Sequence, residues 1–351
     1  MEDICVMEPH DIAFYETKIR DYIPDTVIDV HTHMHLKKYY LGDDLWNQNR
    51  GALWPRLACE ENSAEEMEAC YKAQFPGKKV IPLVFGKVSR AYDVEGCTAY
   101  AIGEAKKRNW PYLYVTRPEW SAEDFEEKIR TSGALGAKVY LNFAPVYIPS
   151  GEIRILDFIP HHQLEVLNKH KWILMLHIPR AGRLGDPVNI EEMVLIAKMY
   201  PDIRVIIAHI GRAYTKEDVG NALERLPVEA PDFFYDFSAN INAWVMEELL
   251  KHAGPEKVMF GTDSPINRMR MGRIEENGTY INLVRKGQYR GVETDPHMRE
   301  IEGPEADRLT WYTYYEIESM LKAMHNLGMG DTEAEKIFYL NAKNLLAIGR
   351  T

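Results

Sequence analysis

The sequence predicts an α/β fold, a single (β/α)8 barrel (TIM barrel) with additional C-terminal helices. Eight short apolar runs of strand length alternate with segments of helical periodicity, the pattern of parallel strands joined by crossover helices. No Gly-x-Gly-x-x-Gly sequence follows an early strand, which argues against the alternative, a doubly wound open sheet. Because (β/α)8 barrels of about this length fold as one unit, residues 1–351 are predicted to form one domain.

The predicted elements follow one another regularly along the chain. Strands are predicted at residues 26–33, 80–85, 111–116, 137–141, 172–177, 203–209, 233–238 and 258–263. Helices are predicted near residues 61–75, 95–109, 158–170, 189–200, 215–226 and 242–253, with another beginning at the capping-box pattern of Ser121. Residues 1–25 are expected to form an N-terminal cap with a short helix in 8–22, and residues 264–305 an irregular loop or lid. Residues 306–351 are expected to form closing helices at 308–327, 331–340 and 341–348.

Composition excludes several classes of protein. Lys and Arg number 42 and Asp and Glu 53, and the resulting net charge of −11 argues against a nucleic-acid partner, which requires a positive surface. No apolar run approaches the roughly 20 residues of a membrane span, so no membrane partner is expected. The N-terminus is acidic and lacks the apolar stretch of a signal peptide, so a cytoplasmic location is expected. Cys5, Cys59, Cys70 and Cys97 are predicted to be buried thiols.

The first predicted strand ends in two histidines one residue apart, His31 and His33. Because side chains alternate along a strand, Asp29, His31 and His33 are expected on one face, where two imidazoles could hold one metal ion. A cluster of core or surface histidines is the alternative. His35 follows two residues later and could reach the same place from the loop.

Other polar residues occupy comparable positions at the ends of predicted strands. Lys138 lies in strand four, His177 ends strand five, His209 ends strand six and Asp263 ends strand eight. In a barrel, the carboxyl ends of the strands form one rim, where the active site lies. These residues are therefore predicted to converge, whereas the histidines in helical or polar surroundings are assigned to packing or the surface: His10, His161, His162, His170, His252, His297 and His325.

Several motifs resemble the amidohydrolase superfamily, specifically its amidohydrolase-2 branch, which contains aminocarboxymuconate-semialdehyde decarboxylase-like proteins. They are Val-Ile-Asp-Val-His31-Thr-His33, His177 after strand five, Ala-His209-Ile-Gly-Arg and Phe-Gly-Thr-Asp263-Ser-Pro. The C-terminal Tyr339-Leu-Asn-Ala-Lys-Asn-Leu-Leu is similar to the closing helix of that family. The resemblance extends over nearly the whole chain from residue 26.

The resemblance implies one divalent metal ion, usually zinc, with manganese or iron as alternatives. Its implied ligands are His31, His33, His177 and Asp263, with Asp263 also taking a proton from water and His209 polarising the substrate or moving a proton. Lys138 stands where binuclear relatives carry a carboxylated lysine, which would add a ligand and a second metal; a buried ion pair or a substrate contact is the alternative. The resemblance also implies homo-oligomers.

Arginines in the predicted loops indicate a small anionic substrate. Arg180, Arg212 and Arg268 follow the ends of strands five, six and eight, and a guanidinium group suits carboxylate recognition; surface ion pairs are the alternative. Further candidates are Arg50 and Arg117 for the anion, and Trp46, Trp54, Tyr140, Phe143 and Tyr147 for aromatic walls.

The leading hypothesis is a metal-dependent hydrolase that acts on a small carboxylate-bearing amide, ester or lactone through metal-activated water. The alternative is a non-oxidative decarboxylase of a small unsaturated or aromatic acid. Against it, the first strand lacks the glutamate two residues before the second histidine that some decarboxylases of this branch have, and Asp29 lies four residues before. A non-catalytic binding protein is a third class.

Overall fold

The computed structural model describes residues 5–42 and 58–348. Three residues named as candidates above, Trp46, Arg50 and Trp54, lie outside these ranges. Among the described residues, no helix has both the length and the apolar character needed to cross a membrane.

Eight parallel strands form the centre of the fold, each at a position that the sequence predicts. They are β1 (Thr26–Met34), β2 (Lys79–Gly86), β3 (Tyr114–Val115), β4 (Gly136–Val139), β5 (Ile173–Leu176), β6 (Arg204–Ile207), β7 (Phe234–Asp236) and β8 (Val258–Met259). β1 pairs with β2, and β3 to β8 pair in chain order. The α/β class and the order of a (β/α)8 barrel are confirmed.

The strands do not form one continuously closed sheet, because regular pairing stops at two seams. Between β2 and β3, Val84 N donates to Pro111 O at 3.0 Å and Leu113 N donates to Val84 O at 3.0 Å. Between β1 and the segment after β8, His33 N donates to Ser264 O at 2.9 Å. Isolated backbone bonds therefore link the two sheets, and one of them lies beside the histidine pair.

Helices separate the strands. They are α1 (Pro9–Lys18), α2 (Ala64–Gln74), α3 (Val94–Arg108), α4 (Ala122–Ser132), α5 (His161–His170), α6 (Pro187–Met199), α7 (Ala222–Glu229), α8 (Ala243–Ala253), α9 (Tyr312–Asn326), α10 (Asp331–Glu335) and α11 (Asn341–Leu345). A π-helical turn, Lys336–Leu340, joins α10 to α11. Residues His209–Arg212 form a left-handed turn, in which all four have positive φ, and a one-turn helix lies at Lys216–Val219. Gly220, with φ +52°, divides the helix predicted over 215–226 into two pieces.

Alternation along the strands separates the two largest of four clusters of buried residues in the described part of the chain. In β5, Ile173 and Met175 belong to one cluster, while Leu174 and Leu176 belong to the other, which also contains residues of the surrounding helices. Strands buried on both faces account for the continuous apolar runs in the sequence. α11 lies at the amino end of the strands, where Asn341 Nδ2 donates to Val258 O at 2.8 Å.

The segment after β8 is more regular than predicted. It contains a small three-stranded sheet of β9 (Gly272–Glu276), β10 (Thr279–Arg285) and β11 (Met298–Ile301), in the order β11, β10, β9. The prediction of an irregular segment over 264–305 is wrong here, because the Asn277-Gly278 turn, with both residues at positive φ, folds β9 back on β10. Its action as a lid stays a prediction.

The prediction of four free thiols is wrong for two of the cysteines. Cys5 and Cys70 form a disulfide, with Cα atoms 5.3 Å apart, which joins the N-terminal segment to α2. Cys97 is a buried free thiol and Cys59 a half-buried one. Spacing alone did not reveal the pair because its two residues are 65 positions apart.

Glu316 on α9 is a buried carboxyl group that forms no ion pair with a described residue, and the charge of Arg273 offsets only part of the cost of its burial. Its side chain is fully buried, and neither carboxyl oxygen accepts a hydrogen bond in the part of the chain that the structure describes. Burial raises the pKa of Glu316 well above its usual value of 4.5. Folding therefore becomes less favourable as pH rises from 4.5 towards the folded-state pKa, because only the unfolded chain releases the proton readily.

We expect Glu316→Gln to remove this pH-dependent loss of stability. The difference in Tm between the variant and the wild type should be larger at pH 8 than at pH 5. Each kcal/mol of unfolding free energy that the variant regains should raise Tm by about 2–4 °C. Thermal unfolding at both pH values measures it. Glu318→Gln on the same helix is the matched control, because Glu318 is partly exposed and lies 3.4 Å from Lys18. An equal difference at both pH values would contradict the expectation.

Candidate active site

Three of the predicted ligands meet where β1 and β8 end. One ligand atom from each of His31, His33 and Asp263 lies within 4.8 Å of the others. Asp263 Oδ1 is 3.5 Å from His31 Nε2 and 3.4 Å from His33 Nε2. Asp263 has a left-handed backbone, with φ +49°. Two imidazoles and one carboxylate therefore share one position on the rim.

His31 is oriented by a carboxylate at the end of β7 that was not among the predicted site residues. Its Nδ1 donates to Asp236 Oδ2 at 2.9 Å, and both side chains are fully buried. A carboxylate oxygen only accepts hydrogen bonds, so the imidazole proton lies on Nδ1. Nε2 therefore presents a lone pair towards Asp263, as a ligand to a metal must.

His33 has the same proton arrangement with a different partner. Its Nδ1 donates to the carbonyl oxygen of Gly86, at the end of β2, at 3.3 Å. The adjacent strand therefore leaves Nε2 of His33 without a proton, facing Asp263.

His209 is held by the loop after β7. Ser238 Oγ donates its proton to Asp236 Oδ1, so it must accept from His209 Nδ1, which lies 2.9 Å away. The Ser238 carbonyl oxygen is a second acceptor, 3.2 Å from the same nitrogen. His209 Nε2 is consequently free of a proton and lies 3.9 Å from Asp263 Oδ2.

Burial sets the protonation of these side chains. It lowers the pKa of His31, His33 and His177 well below 6.5 and that of His209 to about 4. Burial raises the pKa of Asp263 to about 6, despite the opposing effect of His209. At neutral pH the imidazoles are therefore neutral and Asp263 is ionised.

Lys138 enters the same cluster from β4. Its Nζ is 3.1 Å from His31 Nε2 and 4.9 Å from the centroid of the Phe85 ring, and the side chain is fully buried. Burial lowers the pKa of Lys138 to about 8. This position beside a ligand nitrogen accords with a role at the metal, while carboxylation of Lys138 stays a prediction.

His177 lies at the same rim but outside the compact ligand group. Its ring centroid is 5.3 Å from that of His209 and 4.5 Å from that of Tyr140. His177 Nδ1 is buried and has no hydrogen-bond partner in the described ranges. Its role as a metal ligand stays a prediction.

The arginines of the loops after β5 and β6 differ in their partners. Arg212 donates to the carbonyl oxygens of Pro179 and Arg180, at 3.1 and 3.2 Å, and forms no ion pair with a described carboxylate. It also lowers the pKa of His177, which places its charge near the rim. Arg180 instead has Nε 3.3 Å from Asp186 Oδ1.

Arg268 and His35, also predicted to bind substrate, occupy packed positions. The Arg268 side chain is 9% exposed, donates to Glu61 O at 2.9 Å and lies 3.4 Å from Glu66. The His35 side chain is fully buried, with its ring 5.4 Å from that of Tyr92. Neither residue belongs to the ligand group, and substrate binding by them stays a prediction.

Asp29 does not face the site as expected from strand alternation. Its carboxylate accepts hydrogen bonds from Tyr71 OH at 2.7 Å and from Thr262 N and Oγ1 at 2.9 and 2.6 Å. The pairing of β1 with β2 shifts register between Asp29 and Thr32, which interrupts simple alternation. Asp29 therefore anchors the residue before Asp263.

Three residues that act on the cluster were not predicted from the sequence: Asp236, Ser238 and Lys87. Asp236 and Ser238 end an apolar run, as His177 does, and this position was the available signal. Lys87 directly follows β2, and its charge lowers the pKa of His33, His35 and Asp263.

We expect Asp236→Asn to weaken metal binding without unfolding the protein. Loss of the carboxylate leaves the proton position of His31 undetermined, and partners of this kind typically contribute 10–100-fold to metal affinity. Competition with a chromophoric zinc chelator measures the change. Asp202→Asn, at an exposed ion pair with Lys171, should leave the affinity unchanged. Equal affinity of Asp236→Asn and the wild type would contradict the orienting role.

The donor set fits a divalent metal ion. His31 and His33 direct unprotonated Nε2 atoms towards a carboxylate, and the low pKa of each keeps these lone pairs available at neutral pH. Imidazole and carboxylate donors suit zinc and related transition metals. His31, His33 and Asp263 would hold the ion.

Comparisons with known proteins place this chain in a family. The sequence model of a family described as amidohydrolase matches residues 28–348. No curated protein matches the sequence.

Solved structures share the fold at low sequence identity. An amidohydrolase from Burkholderia multivorans with bound zinc has a TM-score of 0.55 at 13% identity, over 92% of this chain and 99% of that one. A dihydroxybenzoic acid decarboxylase from Polaromonas sp. JS666, with bound manganese and 2-nitroresorcinol, has a TM-score of 0.52 at 12% identity, over 93% and 98%. A probable 2-pyrone-4,6-dicarboxylic acid hydrolase from Acinetobacter baumannii, with citric acid bound, has a TM-score of 0.52 at 12% identity, over 92% and 99%.

The family match covers most of the chain, and hydrolases and decarboxylases both occur among the similar structures. Metal dependence accords with the donor set described above. The chain belongs to the amidohydrolase family and is an enzyme of that family.

Proposed function

We propose that the protein is a zinc-dependent hydrolase of a small amide, ester or lactone that carries a carboxylate. The observation that carries this proposal is the position of Asp263, whose carboxylate is 14% exposed and lies beside Nε2 of both His31 and His33 and near Nε2 of His209. A bound zinc ion would polarise the scissile carbonyl group and make a water molecule more acidic.

The protein's own groups supply the proton transfers. Asp263, with a pKa of about 6, is ionised at neutral pH and can take one proton from the attacking water. Its protonated form can then pass that proton to the leaving oxygen or nitrogen. His209, with an unprotonated Nε2 and a pKa of about 4, offers a second acceptor on the same side of the cluster.

Arg212 is the best supported candidate for the substrate carboxylate. It has no ion-pair partner among the described carboxylates, and its charge acts on His177, Tyr140 and Tyr214. An anion here would gain charge-assisted hydrogen bonds without first displacing a salt bridge. A small carboxylate-bearing substrate is therefore proposed.

Decarboxylation of a small unsaturated or aromatic acid is the second candidate. The raised pKa of Asp263 favours it too, because a carboxyl group that holds a proton near pH 6 can protonate the carbon that loses CO2. The two reactions would use one site and differ in product.

A substrate panel separates the two functions. Zinc-loaded protein would be given carboxylate-bearing lactones, esters and amides, with 2-pyrone-4,6-dicarboxylate among them, and acids such as 2,6-dihydroxybenzoate. We expect ring opening or acid release without CO2. Release of CO2 from an acid would establish the second candidate, and no turnover of any compound would contradict both.

We expect Arg212→Met to raise KM for a carboxylate substrate by roughly 10–100-fold with little change in kcat, the effect of losing hydrogen bonds to a charged group. Steady-state kinetics with a neutral methyl ester of the same substrate provides an internal comparison, because its KM should not change. Arg225→Met on α7, where the arginine pairs with Glu229 and Glu191, is the control variant. An unchanged KM for the carboxylate would remove Arg212 from substrate binding.

A further inference from the structure

Arg273 connects the small sheet to the loop that holds His209. It lies on β9, where its NH1 donates to Ala239 O at 2.7 Å. Its Nε donates at 2.8 Å to Oδ1 of Asn282, the residue paired with it on β10. One guanidinium group thus spans from the small sheet to the residue that follows Ser238.

Aromatic rings fix the direction of this guanidinium group. Its central carbon lies 4.5 Å from the ring centroid of Tyr214, 4.6 Å from that of Tyr280 and 5.1 Å from that of Tyr312. Within residues 5–42 and 58–348, Arg273 forms no ion pair with a carboxylate. Cation–π contacts and two hydrogen bonds therefore hold it, and its planar fork serves both acceptors at once.

Ala239, which accepts the bond from Arg273, has an unfavourable backbone conformation. Its φ is +55°, a left-handed value that is sterically unfavourable for a non-glycine residue. Tyr312 OH donates to the same carbonyl oxygen at 3.1 Å. Such a conformation persists when surrounding contacts determine it, and here two side chains determine it.

The position of Ala239 matters because Ser238 directly precedes it. Both the hydroxyl and the carbonyl oxygen of Ser238 accept from His209 Nδ1, which leaves His209 Nε2 without a proton. Movement of Ala239 would move the Ser238 carbonyl group and weaken the hydrogen bonds that select this tautomer.

We infer that Arg273 is a positioning residue, through which the small sheet fixes the tautomer and orientation of His209. Only the kinetic consequence rests on the proposed function, because the tautomer is a property of the protein alone.

Nitrogen NMR tests the inference directly. Zinc-loaded protein labelled with 15N in histidine would be compared with Arg273→Met, and the His209 signals assigned by their loss in His209→Gln. In the wild type we expect one tautomer, with the proton on Nδ1. In Arg273→Met we expect averaged shifts of a tautomer mixture. Unchanged His209 shifts in a folded Arg273→Met protein would overturn the inference.

Arg299→Met is the matched control. Arg299 lies on β11 of the same small sheet, is partly exposed and pairs with Glu276 at 2.5 Å. Replacement of Arg299 should leave the His209 nitrogen shifts unchanged. A tautomer mixture of His209 in Arg299→Met would overturn the specific role of Arg273. If Arg273→Met does not fold, Tyr312→Phe is the alternative variant, because it removes the other donor to the Ala239 carbonyl oxygen. Its His209 nitrogen shifts should move part of the way towards those of a tautomer mixture. Unchanged shifts would overturn the inference.

Kinetics provides a second measurement, using any substrate identified by the panel. Arg273→Met should lower kcat by about 10-fold, the lower range for partners that orient an active-site histidine, with KM unchanged. In a Ser238→Ala background, the same substitution should have little further effect, because both act on His209 by one route. If the effects of the two substitutions on kcat multiplied in full, Arg273 would not act through Ser238. Absence of all turnover would count against the proposed function, whereas the NMR result would still decide the inference.

Discussion

Asp263→Asn is expected to abolish turnover while the fold is retained. The carboxylate is placed both to hold the metal and to take a proton from water, since it lies 3.4 and 3.5 Å from the two Nε2 atoms of His33 and His31. An amide is close in size but does not accept a proton at neutral pH, so kcat should fall by about 10²–10⁴-fold from the loss of general-base catalysis alone.

The experiment combines kcat, zinc content and circular dichroism. Zinc content shows whether the variant retains the metal, and circular dichroism shows whether it retains the fold. Asp307→Asn, at an exposed position near Arg285, is the control variant and should keep full activity. If folded Asp263→Asn turned over substrate at a rate near that of the wild type, Asp263 would not be the base.

Sequence periodicity was sufficient to predict the positions of the strands and the polar residues at their ends. His31, His33 and Asp263 belong to β1 and to the segment after β8, which adjoin only when the chain surrounds the barrel. Their convergence was predictable because parallel strands direct their carboxyl ends to one rim. No knowledge of side-chain packing was needed.

Contacts between distant residues were not predictable in this way. Asp236 is 205 positions from His31, and an apolar strand ending in aspartate does not indicate which imidazole it will orient. Asp29 was misplaced because a register shift in β1 cannot be read from alternation. Arg268 resembled the other loop arginines, but its contact with Glu66 depends on how α2 packs against the segment after β8.

Double replacement of His31 and His33 by Ala is expected to remove the metal entirely. Each side chain directs an unprotonated Nε2 towards Asp263, and a single remaining carboxylate in this group is too weak a donor to retain zinc against a chelator. Elemental analysis of dialysed protein should give about one equivalent of zinc for the wild type and close to none for the variant, with turnover lost in parallel.

A second histidine pair provides the matched control. On α5, His161 Nδ1 lies 2.7 Å from Tyr200 OH, and His162 Nε2 donates to Trp120 O at 2.9 Å; neither contact involves a residue of the ligand group. His161→Ala/His162→Ala removes the same two imidazoles from the composition but should keep the full equivalent of zinc. Metal retained by His31→Ala/His33→Ala would show that other groups bind it, and His177 and His209 would become the candidates. Metal lost equally from both double variants would show that the loss follows from general destabilisation and not from the removal of ligands.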